Sequence, residues 1–148
     1  MNITPLYLLL ADDDTDDCIF FKDALEELFV SAKLITVNDG VQLMQLLSKN
    51  EVLPDVLYLD LNMPRKNGFD CLAEIKKDEK LKELPVIIFS TSFDKEVASL
   101  LQKGGALYYI QKPAAFSNLK TVIQKSLELI VENNKQYPVK ENFVLNIS

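Results

Sequence analysis

The stretch VLYLDLNMP, residues 56–64, places a single acid directly after a run of apolar residues. The run is Val56–Leu59, and Pro64 supplies a turn signal shortly after Asp60. An apolar run of this length that is bounded by a turn predicts a buried strand. The carboxyl ends of the strands in an open parallel sheet are where ligands bind and chemistry takes place. Asp60 is therefore the first candidate for a functional residue.

Three other apolar runs also end in polar residues. The runs at 8–11, 86–89 and 107–110 are followed by Asp12-Asp13-Asp14, Ser90-Thr91-Ser92 and Gln111-Lys112-Pro113, respectively. Further acids, hydroxyl groups and an amine therefore join Asp60 at the ends of four predicted strands.

The segments between these runs carry the three- and four-residue spacing of amphipathic helices, as Cys18, Phe21 and Leu25 illustrate. The predicted strands are 6–11, 33–37, 56–59, 86–89 and 107–110. The predicted helices are 15–30, 41–50, 69–77, 94–103 and 115–132. Strands that alternate with helices predict an α/β fold, a doubly wound parallel sheet that is covered on both faces. For five strands with right-handed connections and five helices, the flavodoxin-like strand order 2-1-3-4-5 is favoured.

Length and charge limit the domain organisation and the classes of function. The 148 residues fit one domain, which we assign to 1–132, with 133–148 as a C-terminal tail and no separate output domain. Within the tail, Phe143-Val144-Leu145 is an apolar patch that can dock on the domain or on a partner. The net charge of −6 argues against a nucleic-acid-binding surface. The absence of histidine excludes His-based acid–base catalysis and His metal ligation.

The cysteines and the hydropathy of the chain bear on its location. Cys18 and Cys71 lack metal-ligand spacing and fit small core residues of a reduced cytosolic protein. No apolar stretch is long enough to span a membrane, and the N-terminus lacks the pattern of a signal peptide. We therefore expect a cytoplasmic protein with neither a membrane nor a nucleic acid as its partner.

The predicted strand order places three acids in one crevice, because strands 1 and 3 are neighbours. Asp12, Asp13 and Asp60 would repel each other when ionised, and either a proton or a divalent cation would remove the conflict. Mg²⁺ prefers oxygen ligands in octahedral geometry, so two or three carboxylates and a backbone carbonyl suit it. The alternative is that the acids cap helices and face water. Capping explains Asp14, Asp16 and Asp17, but it explains Asp60 poorly, because no helix starts there.

An amine and a hydroxyl group complete this predicted site. Lys112 lies between an apolar strand and Pro113, and a lysine held near acids and a metal can bind a phosphate oxygen. Ser90 can donate a hydrogen bond from its hydroxyl group. A carboxylate with a metal, a hydroxyl donor and an amine is the arrangement expected for phosphoryl transfer to an aspartate.

With these residues in place, the chain resembles a response-regulator receiver domain of two-component signalling, similar to the single-domain chemotaxis regulator. The resemblance runs from about residue 7 to 131. It rests on Asp12-Asp13, Asp60, Gly68, Ser90 and Lys112-Pro113, which follow in order at the right intervals. It implies a phosphoprotein that accepts a phosphoryl group on Asp60 from a phosphohistidine. The donor would be a sensor histidine kinase or a histidine phosphotransfer protein, and the downstream protein target is unknown.

The resemblance also implies a metal site. Asp13, Asp60 and the backbone carbonyl of Asn62 would ligate Mg²⁺, and Asp12 would hold it through a water molecule.

Further roles implied by the resemblance concern the response to phosphorylation. Lys112 would neutralise the phosphoryl group, Ser90 would move toward it, and Tyr109 would turn inward into the vacated space. The movement would couple the site to the face formed by helix 4, strand 5 and helix 5. The domain would act as a phosphoacceptor with only its own phosphorylation and dephosphorylation chemistry, rather than as an enzyme.

Several alternatives stay open at this point. The chain can be a phosphorelay intermediate or a phosphate sink, or an unphosphorylated pseudo-receiver that acts as an interaction module. A haloacid-dehalogenase-like phosphatase also uses an aspartate at a strand end, but it needs a second acid two residues later, where this chain has Asn62.

Overall fold

The computed structural model of the chain describes residues 5–132 and 143–145, and it shows a parallel sheet with helices on both faces. The strands are β1 (Leu6–Ala11), β2 (Ala32–Val37), β3 (Val56–Leu59), β4 (Val86–Ser90) and β5 (Tyr108–Gln111). The helices are α1 (Thr15–Glu27), α2 (Gly40–Lys49), α3 (Gly68–Lys77), α4 (Lys95–Lys103) and α5 (Phe116–Glu132). The strand order is β2-β1-β3-β4-β5, and every neighbouring pair is parallel. The predicted flavodoxin-like order is therefore confirmed.

Two hydrophobic clusters fill the space between the sheet and its helices. One joins the sheet to α2, α3 and α4, and the other joins it to α1 and α5. Because successive side chains of a strand point to opposite faces, β3 contributes Leu57 to the first cluster and Tyr58 to the second. All four residues of β3 are buried, as its unbroken apolar run predicted.

The same alternation separates the two tyrosines of β5. Tyr109 belongs to the cluster on the α2–α4 side, whereas Tyr108 belongs to the cluster on the α1–α5 side. The two rings therefore lie on opposite faces of the sheet.

The C-terminal end of α1 is the element boundary that sequence reasoning placed least well. The helix was expected to reach residue 30, but it ends at Glu27. Phe29 adopts a left-handed backbone conformation with φ of 56°, and such a residue terminates a helix. The amide of Leu28 still donates to the carbonyl of Ala24, at 3.1 Å. The helical apolar spacing thus continues through Leu28, one residue beyond the last residue of the helix.

Both cysteines are buried free thiols, in agreement with their predicted place in the core. Among the described residues, none of the helices combines the length and the apolar character needed to cross a membrane.

Residues 143–145 dock on the domain, which was one of the two possibilities left open by the sequence. Val144 forms a parallel β-bridge with Tyr109 at the free edge of β5. Residues 133–142 and 146–148, the rest of the predicted tail, lie outside the described residues.

Candidate functional site

The carboxyl ends of β1 and β3 bring three acids together. Ala11 and Leu59 are register partners, so Asp12 and Asp60 follow their strands side by side. The amide of Asp60 donates to the carbonyl of Ala11 at 3.0 Å, which ties the two strand ends together. Carboxylate oxygens of Asp12, Asp13 and Asp60 lie within 4.8 Å of one another. Asp12 is fully buried, Asp60 is 6% exposed, and Asp13 faces solvent.

Lys112 reaches this acidic group from the end of β5. Its Nζ atom lies 2.7 Å from an oxygen of Asp12, 2.8 Å from one of Asp17 and 3.7 Å from one of Asp60. The amide of Lys112 donates to the carbonyl of Ser90 at 2.8 Å, so the end of β4 fixes its backbone. The side chain is 9% exposed, and its ammonium group therefore acts on the acids with little screening by water.

Burial sets the protonation behaviour of the two inner acids. Burial raises the pKa of Asp60 to about 6, although the ammonium of Lys112 opposes the rise. Burial also raises the pKa of Asp12, and the hydrogen bond from Lys112 opposes it. For Lys112, burial disfavours the charged form, but the contacts with Asp12 and Asp17 outweigh it and raise the pKa. The lysine is thus held as a cation between acids whose ionised forms are desolvated.

The donor set suits a hard divalent cation. Three carboxylate groups supply the oxygen ligands that Mg²⁺ and Mn²⁺ accept, and the exposed Asp13 leaves room for water ligands. A cation would also relieve the repulsion between the acids, which a single lysine offsets only in part. The described residues therefore fit a metal at this position.

The loop from β3 to α3 packs tightly against Asp60. The backbone amide of Asn62 opposes the rise in the pKa of the Asp60 carboxyl group. Asn67 caps α3 by accepting from the amide of Asp70 at 2.9 Å. The amide of Gly68 donates to the carbonyl of Leu61 at 2.9 Å. A Cβ atom at Gly68 would lie only 2.3 Å from the Asp60 carbonyl oxygen. Glycine at this position therefore allows the start of α3 to pack against the backbone that carries Asp60.

We expect Gly68→Ala to destabilise the fold by about 2 kcal/mol, because backbone atoms must move to admit the new methyl group. Gly104→Ala is the matched control, since its Cβ would lie 3.3 Å from the nearest atom and its backbone is helical. We expect the control to change stability by less than about 1 kcal/mol. Urea unfolding of both variants measures the difference. Equal stability of the two variants would contradict the close packing of Gly68 against Asp60.

Ser90 and Tyr109 lie on β4 and β5, and β4 is the neighbour of the strand that Asp60 follows. Ser90 ends β4 and is fully buried, with its Oγ 3.4 Å from the Oγ of Ser92. The hydroxyl of Tyr109 donates to the carbonyl of Ser92, and its ring is 1% exposed. The rings of Phe93 and Phe143 pack against it at right angles and at 64°, with centroids 5.4 Å and 6.4 Å away. Tyr109 is thus linked to the residues directly after Ser90.

Asp17 is a site residue that sequence reasoning missed. It was assigned to the charged start of α1, but its carboxylate accepts a hydrogen bond from Lys112. The assignment holds for Asp14, whose side chain accepts from the amides of Asp16 and Asp17 and caps the helix. A signal for Asp17 does exist, because the first turn of a helix that directly follows β1 lies close to the strand ends.

The comparison with known proteins places this arrangement in a family. The family model of the response regulator receiver domain matches residues 8–124, which is most of the chain. The chain belongs to this family. Response regulator Rcp1 of Synechocystis sp. is 33% identical over 97 residues, covering 62% of this chain and 66% of the relative. Chemotaxis protein CheY1 of Helicobacter pylori is 29% identical over 127 residues, covering 86% of this chain and 98% of the relative.

Solved receiver structures share the fold along nearly the whole chain. The phosphorylated cyanobacterial phytochrome response regulator RcpA is 31% identical and superposes with a TM-score of 0.80. The superposition covers 91% of this chain and 99% of that one. The Mn²⁺-bound form of response regulator Rcp1 is 26% identical, with a TM-score of 0.76 and coverage of 91% and 100%. A larger relative, sensor histidine kinase CheAY of Helicobacter pylori, is 28% identical, but this receiver spans only 15% of its length.

Proposed function

We propose that this receiver accepts a phosphoryl group on Asp60 from the phosphohistidine of a sensor kinase or a histidine phosphotransfer protein. The observation that carries the proposal is the convergence of Asp12, Asp13 and Lys112 on the Asp60 carboxylate. The similarity to the phosphorylated regulator RcpA supports it. The chain would act as a phosphoacceptor in signalling rather than as an enzyme with a separate substrate.

In the proposed reaction, the Asp60 carboxylate is the nucleophile. A new bond forms between its oxygen and the phosphorus atom, while the bond from phosphorus to the imidazole nitrogen breaks and the histidine leaves with that electron pair. Asp60 must be ionised to attack, and its pKa of about 6 leaves it ionised at neutral pH. Lys112, whose Nζ lies 3.7 Å from Asp60, would pair with an oxygen of the transferred group.

Mg²⁺ is the cofactor that we propose for this site. Asp13, Asp60 and the Asn62 backbone carbonyl would hold it, and Asp12 would reach it through a water molecule. When bound, the cation neutralises charge on the phosphoryl oxygens. The Mn²⁺-bound neighbour Rcp1 supports a divalent cation in a protein of this fold.

We assign the response to Ser90 and Tyr109. After phosphorylation, the Ser90 hydroxyl would donate a hydrogen bond to a phosphoryl oxygen. Tyr109 is already buried at 1% exposure and donates to the Ser92 carbonyl, so phosphorylation would hold it in this inward position instead of turning it there. The change would alter the surface formed by α4, β5 and α5, where a target protein would read it.

Labelling with acetyl phosphate tests the proposed function. With Mg²⁺ present, intact-mass measurement should show one labile phosphoryl adduct, because the small donor needs no kinase surface. Excess chelator should reduce the labelling rate by at least about 100-fold, since metal charge stabilisation supplies several kcal/mol in phosphoryl transfer. Addition of Mg²⁺ beyond the chelator should restore labelling. An adduct that forms equally fast under chelation would exclude the metal from the reaction.

A further inference from the structure

Asp17 is a carboxylate at the edge of the site, and the reaction proposed for Asp60 leaves it without a role. It is the third residue of α1, directly after the exposed Asp16. An acid in the first turn of a helix ordinarily serves one of two purposes. It complements the helix dipole, or its side chain accepts from the amide of the capping residue in a capping box. The exposed Asp16 fits the first purpose, whereas the contacts of Asp17 fit neither.

The hydrogen bonds at the start of α1 leave no capping role for the side chain of Asp17. Asp14 precedes the helix and caps it by accepting from the amides of Asp16 and Asp17. The amide of Asp14, which a capping box would pair with Asp17, donates instead to an oxygen of Asp12 at 2.9 Å. The carboxylate of Asp17 turns to another partner and accepts a hydrogen bond from the Nζ of Lys112 at 2.8 Å.

The contacts of Lys112 hold its ammonium group at a defined place beside Asp60. The Nζ atom lies 2.7 Å from an oxygen of Asp12 and 2.8 Å from one of Asp17, and it lies 5.3 Å from the centre of the Phe89 ring. An oxygen of Asp60 is 3.7 Å away, which is too far for a hydrogen bond. Because an ammonium group has three N–H donors, Asp12 and Asp17 engage two of them and one remains.

We propose that Asp17 is a positioning residue for phosphoryl transfer, which holds Lys112 so that the remaining N–H donor meets the group transferred to Asp60. This role rests on the proposed function of Asp60. Asp12 by itself is a single acceptor, and an ammonium group can rotate about a single contact. Displacement of a catalytic group by about 1 Å can reduce a rate by about 100-fold. Asp17 acts through Lys112 and has no contact with the transferred group.

The charge of Asp17 allows positioning to be distinguished from binding of the phosphoryl donor. Acetyl phosphate is an anion, and a carboxylate next to Lys112 disfavours its approach. Removal of the Asp17 carboxylate should therefore lower the maximal labelling rate without raising the acetyl phosphate concentration that gives half of this rate. A purely structural role would change the stability of the fold and would leave both quantities unchanged in the folded protein.

The first measurement compares Asp17→Ala and Asp17→Asn with Asp16→Ala, the matched control in the same helical turn. Intact mass follows labelling at several acetyl phosphate concentrations with Mg²⁺ present, and urea unfolding checks that each variant is folded. The maximal rate should fall at least about tenfold in Asp17→Ala, because the ammonium loses one of its two anchors. Asp17→Asn should stay within about threefold of the wild type, since its amide oxygen still accepts from Lys112. The control should keep the rate of the wild type.

Two results of this measurement would overturn the positioning role. One is a maximal rate of Asp17→Ala that equals or exceeds the rate of the wild type. The other is an Asp17→Asn variant that is as slow as Asp17→Ala, because the charge and not the hydrogen bond would then be what matters.

The second measurement observes the Lys112 ammonium group in the unphosphorylated protein. The NMR signal of its Nζ nitrogen, which Lys112→Met lacks, reports how fast the ammonium protons exchange with water. Exchange should be at least about tenfold faster in Asp17→Ala than in the wild type and in Asp16→Ala, because a hydrogen-bonded ammonium is protected. Equal exchange in all three proteins would contradict the anchoring of Lys112 by Asp17.

A failure of the positioning role can be told apart from a failure of the proposed function. A wild type that gains no adduct would exclude the phosphoacceptor function, and the positioning role would fall with it. A labelled wild type with an unchanged maximal rate in Asp17→Ala would exclude the positioning role alone. If that variant also needed more acetyl phosphate for half of its maximal rate, Asp17 would act in donor binding instead.

Discussion

Asp60→Asn is expected to abolish the phosphoryl adduct that acetyl phosphate forms in the presence of Mg²⁺. The substitution keeps the shape of the side chain but replaces the nucleophilic oxygen by an amide, which does not attack phosphorus at a useful rate. We expect the labelling rate to fall by at least about 1,000-fold, the scale on which loss of a nucleophile reduces rates in enzymes. Intact-mass analysis of parallel reactions measures the effect directly.

Unfolding does not explain this loss, because Asp60→Asn should be no less stable than the wild type. Burial raises the pKa of Asp60 to about 6, so an ionised carboxylate at neutral pH is a cost to the folded state. The amide removes that cost. Asp16→Asn is the matched control, since it makes the same change of charge in an exposed residue of the first turn of α1. The control should be labelled at a rate close to that of the wild type.

The result also decides between a phosphoacceptor and a pseudo-receiver. A wild type that gains no adduct with the donor and Mg²⁺ would favour an interaction module that is never phosphorylated. An adduct that persists in Asp60→Asn would show that another residue accepts the group. Either outcome would contradict the assignment of Asp60.

The sequence predicted those parts of the fold where local pattern and burial agree. The bounds of β3 match the prediction, because its apolar run is both short and limited by polar residues. The order of the strands followed from the alternation of strands and helices, since right-handed connections leave few arrangements. The end of α1 was missed, because the apolar spacing of α1 continues through Leu28 while Phe29 leaves the helical conformation.

The residues of the candidate site were likewise predictable from the sequence only in part. Asp12, Asp13, Asp60 and Lys112 could be predicted to converge, because each follows a strand and the strand order determines which ends are neighbours. The contact of Asp17 with Lys112 depends on the direction of one side chain in a helical turn, which spacing alone does not specify. The docking of residues 143–145 was left open for a similar reason. A short apolar segment has many possible partners until the free edge of β5 and its flanking contacts are known.

Lys112→Met is expected to destabilise the fold by about 3 kcal/mol at neutral pH, because it leaves buried acids without their cation. Lys112 contacts Asp12, which is fully buried, and it also contacts Asp17 and Asp60. Methionine retains the length and the apolar character of the side chain, so the change isolates the ammonium group. Urea unfolding of the wild type and the variant without Mg²⁺ measures the difference.

The stability that Lys112→Met loses should become smaller as the pH falls. The pKa values of Asp12 and Asp60 are already raised by burial, and Lys112 opposes the rise in both. Without Lys112, these pKa values should rise further, so the folded state binds more protons than the unfolded state over a wider range above pH 4. Stability then falls as the pH rises through that range, more steeply in the variant. The deficit of Lys112→Met should therefore shrink when unfolding is measured at about pH 5 instead of about pH 7.5, because the acids can be protonated at the lower pH.

A surface lysine provides the control for this argument. Lys120 pairs with Glu27 at 3.1 Å, but both side chains are partly open to solvent. Lys120→Met should cost less than about 1 kcal/mol, since water screens an exposed pair. A deficit of Lys112→Met that matched this control, or that grew as the pH fell, would contradict the role of Lys112 as the cation that offsets the buried charges at the strand ends.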